Sequence, residues 1–207
     1  VEAIYEPPQE ASALPGSSKG SSALSSPPQA FGSPLFQSGR QTRVALAKTC
    51  RQWLNYPYGV YKHEWAYWNV PRRLLIEQVI ETPNGSELLD YKFHMSRGNC
   101  LMIQVNSGFR TGDRRRMIFL PPWNPQEVDW LYPRPQVVPQ QPENLSEMLE
   151  IARGFSRKFS YVRIDLYSVG GSESRVLFGE FTFFPGSGSE PVDPYDFDLC
   201  LGNRLNL

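Results

Sequence analysis

The chain has 207 residues, and its 21 Lys and Arg balance its 21 Asp and Glu, so the net charge is zero. This balance argues against a general nucleic-acid binder, which carries a clear basic excess. The apolar fraction is 40% and the aromatic fraction 13%, which is enough for a hydrophobic core. No apolar run approaches the roughly 20 residues that a membrane-spanning helix needs.

The first part of the chain has the composition of a disordered segment. Residues 1–40 contain nine Ser, six Pro and four Gly, with no apolar period of 2 or 3.6. Such a stretch cannot bury enough surface to offset its ordering entropy, and it lacks the basic start and apolar stretch of a signal peptide. We therefore predict a disordered segment at 1–41 and one folded domain at 42–207.

The cysteines point to a reducing compartment. Cys50, Cys100 and Cys200 are odd in number and far apart, without a CxxC pair. This spacing is typical of free thiols rather than of a zinc site or a disulfide framework. It favours a cytoplasmic protein.

The first ordered elements are a helix and an aromatic stretch. Leu46, Cys50, Trp53 and Leu54 form one helical face, which the Asn-Tyr-Pro that begins at Asn55 should end. The stretch 56–68 is crowded with aromatic residues and has no clear period. These rings either cover a core or form an open platform that stacks on a sugar.

Three strands should follow, at 73–80, 90–96 and 100–106. A tight turn at 97–99 predicts that the last two form a hairpin. A basic loop at 108–116 and a Pro-rich connection from Pro121 to Pro142 come next.

The clearest helix is predicted at 144–159. It carries an apolar stripe spaced for one helical face, and Asn144 with Glu147 has the pattern of a capping box. The stripe should pack on a sheet that includes strands at 161–168 and 175–184. The stripe comprises Leu145, Met148, Ala152, Phe155 and Phe159.

The final hairpin carries the main chemical signal. Asp165 and Glu180 each stand in the middle of an apolar strand, where a buried charge needs a partner. With an even-numbered turn, Asp165 would lie opposite Phe178 and share a face with Glu180 and Thr182. Two carboxylates and a hydroxyl suit Mg²⁺, and without metal at least one carboxyl pKa should be raised.

Two other outcomes remain open for this hairpin. An odd-numbered turn would put the two carboxylates on opposite faces of the sheet. Alternatively, both are charges at the edge that face water and pair with Arg163 or Arg175. The PGSG at 185–188 follows directly, and its glycines allow the backbone to approach an anion or simply form a turn.

These residues resemble a known family. FSYVRIDLYSVGG followed by LFGEFTFFPGSG is similar to the C-terminal metal-binding hairpin of ATP-grasp enzymes, and closest to the TupA-like ATP-grasp family of teichuronopeptide and cell-surface polysaccharide biosynthesis. KHEWAYWNVPRRLLIEQVI, DYKFHMSRG, MIQVNSGFRTGDRRR, PENLSEMLEIARGFS and the DPYDFDLCLG tail also resemble it. Together they cover about residues 42–207, in family order.

The resemblance implies a role for each group of residues. Mg²⁺ would be bound by Asp165, Glu180 and Thr182. ATP would contact the backbone of Glu77, Gln78, Val79 and Ile80 at the adenine, and Lys92 at the phosphates. Catalysis would involve Arg110 and Arg115, and the acceptor would meet Gly186, Ser187 and Gly188.

The resemblance also implies the fold and the activity. We expect an α+β fold, an ATP-grasp-like antiparallel sheet with packed helices, whose N-terminal half is missing or replaced by the disordered segment. The expected function is an ATP- and Mg²⁺-dependent carboxylate–amine ligase, or a remnant of one, acting on a small-molecule or glycan-linked acceptor. The alternatives are a sugar-binding or glycosyltransferase-associated module of the same pathway and an inactive scaffold.

Overall fold

The computed structural model describes residues 43–82, 85–170 and 174–205 of the chain. The predicted disordered segment at 1–41 lies outside these residues. The described residues fall into two units, 43–80 and 81–205. Each unit is described by itself.

The first unit begins with a helix, α1, at Arg43–Asn55, which ends where the sequence predicts. The chain then turns repeatedly and forms a short 3₁₀ helix at Trp65–Tyr67. Arg72 holds these turns together, because its guanidinium donates hydrogen bonds to the carbonyl oxygens of Tyr58, Tyr67 and Val70.

The strand predicted at 73–80 is wrong. These residues pair with no strand of the described chain, and Leu75 and Ile76 are 67% and 83% exposed. The apolar run has a strand's composition, but a strand forms only where a neighbour accepts its hydrogen bonds. The segment is therefore irregular in this unit.

The second unit contains a six-stranded antiparallel sheet in the order β4-β3-β2-β1-β6-β7. A two-stranded sheet, β5-β8, and two helices complete it. The α+β class and the antiparallel sheet with packed helices are thus confirmed. The elements are β1 Asp90–Ser96, β2 Asn99–Ser107, β3 Arg115–Leu120, β4 Asn124–Gln126, β5 Asp129–Trp130, α2 Leu145–Ser156, β6 Val162–Val169, β7 Arg175–Thr182, β8 Val192–Asp193 and α3 Tyr195–Arg204.

The predicted hairpin of β1 and β2 is confirmed. Ser96 pairs with Asn99, so only Arg97 and Gly98 form the turn, with φ of 48° and 84°. Positive φ at both central residues matches the right-handed twist of the strands. The sequence prediction missed β3, because its first residues were assigned to the basic loop.

One face of the large sheet forms the main core. Alternate residues of β1, such as Phe93 and Met95, point to this face and are fully buried. Helix α2 covers it with Leu145, Met148 and Ala152, as the stripe predicts. Phe155 departs from the prediction because it is 47% exposed and lies against Phe178 and Phe181 at the edge strand β7.

The predicted capping box is also wrong. The Asn144 side chain makes no capping hydrogen bond to α2. Its Oδ1 instead accepts a 2.8 Å hydrogen bond from the hydroxyl of Ser168 on β6. The asparagine thus connects the helix start to the sheet, and a tertiary partner has replaced the local one.

The opposite face of the sheet is polar, yet it is also buried. Lys92, Gln104 and Asp165 are each at most 3% exposed. A second apolar cluster covers one end of this face, where Met102 and Ile118 pack with α3 and the small sheet. Burial on both faces explains why this face carries paired charges rather than solvated ones.

Candidate functional site

A β-bulge decides which side chains of the final hairpin share a face. Val169 pairs with Arg175, which leaves five residues, 170–174, between the strands. With this odd turn, Asp165 and Glu180 would face opposite ways, and the predicted pairing of Asp165 with Phe178 is wrong. However, the register shifts between Ile164 and Leu166, so that β7 has one extra residue there. The bulge returns Glu180 to the face of Asp165.

Arg163 joins the two carboxylates. Its Nε and Nη2 donate to the two oxygens of Asp165, both at 2.8 Å, in a bidentate pair. The same Nη2 donates to Glu180 Oε1 at 3.0 Å, and the Thr182 hydroxyl donates to that oxygen at 3.0 Å. The three predicted metal ligands therefore lie together. Arg163 lies between the two carboxylates, and it is one of the two arginines that the alternative prediction named as their partner.

Lys92 and Asp90 extend this group along β1. Lys92 Nζ lies 2.5 Å from Asp165 Oδ2 and 2.7 Å from Asp90 Oδ2. Asp90 Oδ1 is buried and has no hydrogen-bond partner among the described residues. We call Asp90, Lys92, Arg163, Asp165 and Glu180 the charged cluster. With every group ionised, its three carboxylates face two cations and leave one negative charge uncompensated.

The carboxyl groups of the charged cluster titrate differently. Burial works to raise the pKa of Asp165, but Arg163 and then Lys92 outweigh it and hold the pKa below its usual value. Burial raises the pKa of Asp90, against the attraction of Lys92. Burial, then repulsion by Asp165, raises the pKa of Glu180 to about 7. Since the Glu180 side chain is still 36% exposed, water screens part of that effect.

A second row of polar side chains crosses the same face. His94 Nδ1 lies 2.7 Å from the Tyr161 hydroxyl, and burial lowers the pKa of His94 to about 3, so the ring is neutral. The Gln104 amide is best satisfied when its NH₂ donates to His94 Nε2 and its oxygen accepts from Arg116. Arg116 then donates to Asn106 at 3.2 Å and to Glu190 at 2.7 Å.

The predicted catalytic arginines lie in or beside the basic loop at 108–114. Arg110 is exposed, whereas Arg115 lies on β3 and pairs with Asp113 at 2.8 Å. Gly108 starts the loop with φ of 81°, and a Cβ there would lie 1.9 Å from the Asp113 carbonyl oxygen. Only glycine fits at this position, which fixes the start of the loop.

The PGSG at 185–188 forms a tight turn after β7. Gly186 and Ser187 both adopt left-handed conformations, with φ of 53° and 55°. Glu190 lies against this turn, because a Cβ on Gly186 would meet its Cγ at 2.3 Å.

Besides the basic-loop arginines and the PGSG turn, two further sets of predicted site residues lie in different units. Lys92, Asp165, Glu180 and Thr182 lie together on the polar face of the sheet. The predicted adenine contacts, Glu77 to Ile80, belong to the first unit and form no strand.

The sequence prediction missed Asp90 and Glu190, and named Arg163 only as an alternative partner. It included Arg116 among the arginines of the 108–116 loop, as a phosphate or acyl-phosphate contact, but not as the partner of Glu190. Asp90 could have been found from the sequence, because residues two apart on a strand point to the same face and Asp90 is two residues before Lys92. Arg116 and Glu190 are 74 residues apart, and no local pattern joins them.

Asp165, Glu180 and Thr182 offer oxygen atoms, which are the ligands that Mg²⁺ prefers. Among the described residues, no group of three or more His, Cys, Asp and Glu could hold a metal ion. However, Mg²⁺ in nucleotide sites needs only one or two carboxylates, because phosphate oxygens and water complete its shell. Asp165 and Glu180, on one face of the sheet, fit such a site, and a bound cation would favour the ionised form of Glu180.

The family comparison agrees with this geometry. The TupA-like ATPgrasp family matches residues 40–206, which makes the chain an ATP-grasp protein. Within that class, it belongs to the TupA-like family. No curated protein matches the chain, and no solved structure does. In the part of the chain that the structure describes, no helix has the length and apolar character to cross a membrane.

Proposed function

We propose that the chain is a MgATP-dependent carboxylate–amine ligase, or the part of one that holds the metal and meets the acceptor. Such an enzyme activates a carboxylate as an acyl phosphate, which an amine then attacks. Family membership supports nucleotide use, and the resemblance supports a role in teichuronopeptide or cell-surface polysaccharide biosynthesis. The unpaired spacing of the three cysteines supports a cytoplasmic location. The observation that carries the proposal is the charged cluster.

Contacts within the charged cluster fix the positions of its carboxylates. Arg163 Nη2 contacts both Asp165 and Glu180, so it sets the separation of the two carboxylates. Lys92 holds the other side of Asp165. Groups fixed in this way need no reorganisation when phosphate charge develops, which is the main source of electrostatic catalysis.

Each residue has a defined task in this proposal. Asp165, Glu180 and Thr182 would hold Mg²⁺, which when bound neutralises phosphate charge. Lys92 and Arg163 would orient the phosphate oxygens, and Asp90 would keep Lys92 in place. Arg110, in the basic loop, would contact the transferred phosphoryl group or the acyl phosphate. Arg115 shares the main-core face of β3 with Met117 and Phe119, opposite to the face of the charged cluster, so it has no such task here.

The first test is the thermal stability of the full chain with and without millimolar Mg²⁺ and ATP. Ligand binding to the folded state raises stability, by about 2.7 kcal/mol when ATP is at 100 times its Kd. We expect a rise in Tm that requires both Mg²⁺ and ATP. Glu180→Gln should lose the Mg²⁺-dependent part, because a neutral amide is a weak magnesium ligand. Asp129→Asn, at an exposed ion pair of the small sheet, is the control.

The second test is product formation. Hydroxylamine traps acyl phosphates as hydroxamates, so MgATP with hydroxylamine and L-glutamate or D-glucuronate should give hydroxamate and ADP. The absence of both the Tm rise and the product in the full chain would contradict the proposal.

A second candidate is the sugar-binding module. One observation favours it: Tyr61, Trp65 and Trp68 are 60%, 68% and 48% exposed. The apolar face of an exposed aromatic ring can pack against the C–H groups on one side of a sugar ring. Calorimetric titration with a uronic acid oligosaccharide tests this function, and Trp65→Ala should abolish any binding.

A further inference from the structure

The PGSG turn is connected to the main sheet through one side chain. Glu190 follows the turn, and its carboxylate accepts a 2.7 Å hydrogen bond from Arg116 on β3. The stem of Glu190 lies directly against Gly186, within 2.3 Å of a Cβ built there. The side chain of Glu190 thus contacts the turn at its stem and the sheet at its carboxylate.

Arg116 is itself fixed from several sides. Its side chain is only 4% exposed, and its Nε donates to Asn106 Oδ1 at 3.2 Å. Its guanidinium carbon lies 5.0 Å from the centre of the Tyr132 ring, and its backbone N–H donates to the carbonyl of Pro133. Arg116 cannot follow Glu190 if the turn moves, so the sheet determines where Glu190 lies.

The turn needs such an anchor. Ser187 has φ of 55°, a left-handed conformation that is unfavourable for a residue with a side chain. Within the turn, Ser187 N–H donates to the Phe184 carbonyl at 3.0 Å, and the N–H and the hydroxyl of Ser189 both donate to the Gly186 carbonyl, at 3.0 and 2.9 Å. A conformation of this kind persists only when its surroundings impose it.

We propose that Glu190 and Arg116 are positioning residues, whose ion pair holds residues 185–189 in the left-handed turn that meets the amine acceptor. The acceptor role rests on the proposed function, because the turn would contact an amine acceptor only if the chain is a ligase. The pair acts through the turn and touches neither ATP nor the reacting atoms. A misplaced turn costs the acceptor step and leaves nucleotide binding intact.

The test compares Glu190→Gln with the full wild-type chain. Glutamine keeps the shape of the side chain and removes the charge that Arg116 pairs with. Glu190→Ala is the second variant, and it also removes the contact with Gly186. Asp129→Asn is the control for the loss of a carboxylate from an Arg ion pair, since its pair with Arg134 at 3.0 Å is exposed to solvent.

Two readouts are needed. Amide hydrogen exchange at Ser187 and Ser189 should rise about tenfold in Glu190→Gln, and more in Glu190→Ala, with unchanged exchange in β6. In hydroxamate formation from L-glutamate, hydroxylamine and MgATP, kcat/KM for hydroxylamine should fall about 10- to 100-fold. The KM for ATP and the Tm rise with MgATP should stay as in wild type, and the control should match wild type throughout.

The outcomes separate this proposal from the proposed function. Wild-type hydroxamate formation that both Glu190 variants retain would overturn the positioning role alone, and so would unchanged exchange in the turn. Equal losses for hydroxylamine and ATP would mean that the pair only supports the fold. A wild type that neither binds MgATP nor forms hydroxamate would overturn the ligase function and the acceptor role together.

Discussion

At the scale of residues, Asp165 and Glu180 are both acidic, yet they play opposite parts in stability. Asp165 is 2% exposed and receives three hydrogen bonds, two from Arg163 and one from Lys92. Glu180 receives one from Arg163 and one from Thr182 and is partly in water. Neutralising a carboxylate should therefore relieve repulsion at Glu180 and leave unpaired cations at Asp165.

We expect Asp165→Asn to destabilise the protein by about 3–5 kcal/mol, because it leaves two buried cations without their shared partner. Glu180→Gln should change stability by less than about 1 kcal/mol at pH 7.5. Urea unfolding of both variants without Mg²⁺ measures the difference. Similar losses in the two variants would mean that Arg163 depends on both carboxylates equally.

The raised pKa of Glu180 predicts a pH dependence. In the folded protein this carboxyl ionises near pH 7, compared with its usual 4.5. Between these values the unfolded chain releases the proton first, so the contribution of Glu180 to stability is lost as pH rises from about 4.5 to about 7. The difference in Tm between Glu180→Gln and wild type should therefore shift in favour of the variant as pH rises from about 4.5 to about 7. Both proteins contain His94, so the effect of its titration on stability cancels in the difference between their Tm values.

At the scale of elements, the apolar stripe of α2 is divided between the core and the surface. Met148 is fully buried, whereas Phe155 at the end of the same stripe is 47% exposed. The sheet ends at β7, where Phe155 lies against the rings of Phe178 and Phe181. Helical period identifies the stripe but not how far the sheet reaches beneath it.

We expect Met148→Ala to cost about 2–5 kcal/mol, the range for a buried side chain that leaves a cavity. Phe155→Ala should cost only about 1–2 kcal/mol, from partial burial and two edge-to-face ring contacts. Thermal or urea unfolding tests the order of the two values. A larger loss for Phe155 would mean that its ring is covered in solution.

At the scale of the whole molecule, the main core is complete within one unit. In the part of the chain that the structure describes, every strand and both apolar clusters lie in residues 81–205, with α2 on one face of the sheet and α3 over one end of the other. A unit with its own core can fold independently.

We therefore expect a fragment of residues 81–207 to fold alone. Its circular dichroism should report a sheet, and urea should unfold it in one cooperative transition. The full chain, measured in parallel, provides the reference. A fragment without a cooperative transition would show that residues before 81 are needed to complete the core.

The sequence by itself determined most of the local elements and the family. Period 2 predicted β1, β2, β6 and β7, and period 3.6 predicted α1 and α2, because these patterns depend only on which side chains share a face. The motif around Asp165 and Glu180 identified the family, which the match over residues 40–206 confirms.

Tertiary structure decided the rest. The turn of the last hairpin has an odd number of residues, and only the bulge in β7 brings Glu180 to the face of Asp165. A bulge adds one residue to one strand, and alternating hydrophobicity does not show where it falls. The strand predicted at 73–80 failed because a strand needs a partner, and the pairing of Arg116 with Glu190 joins residues far apart in the chain. Propensity and period are local properties, whereas register, pairing and burial depend on which segments meet in the folded protein.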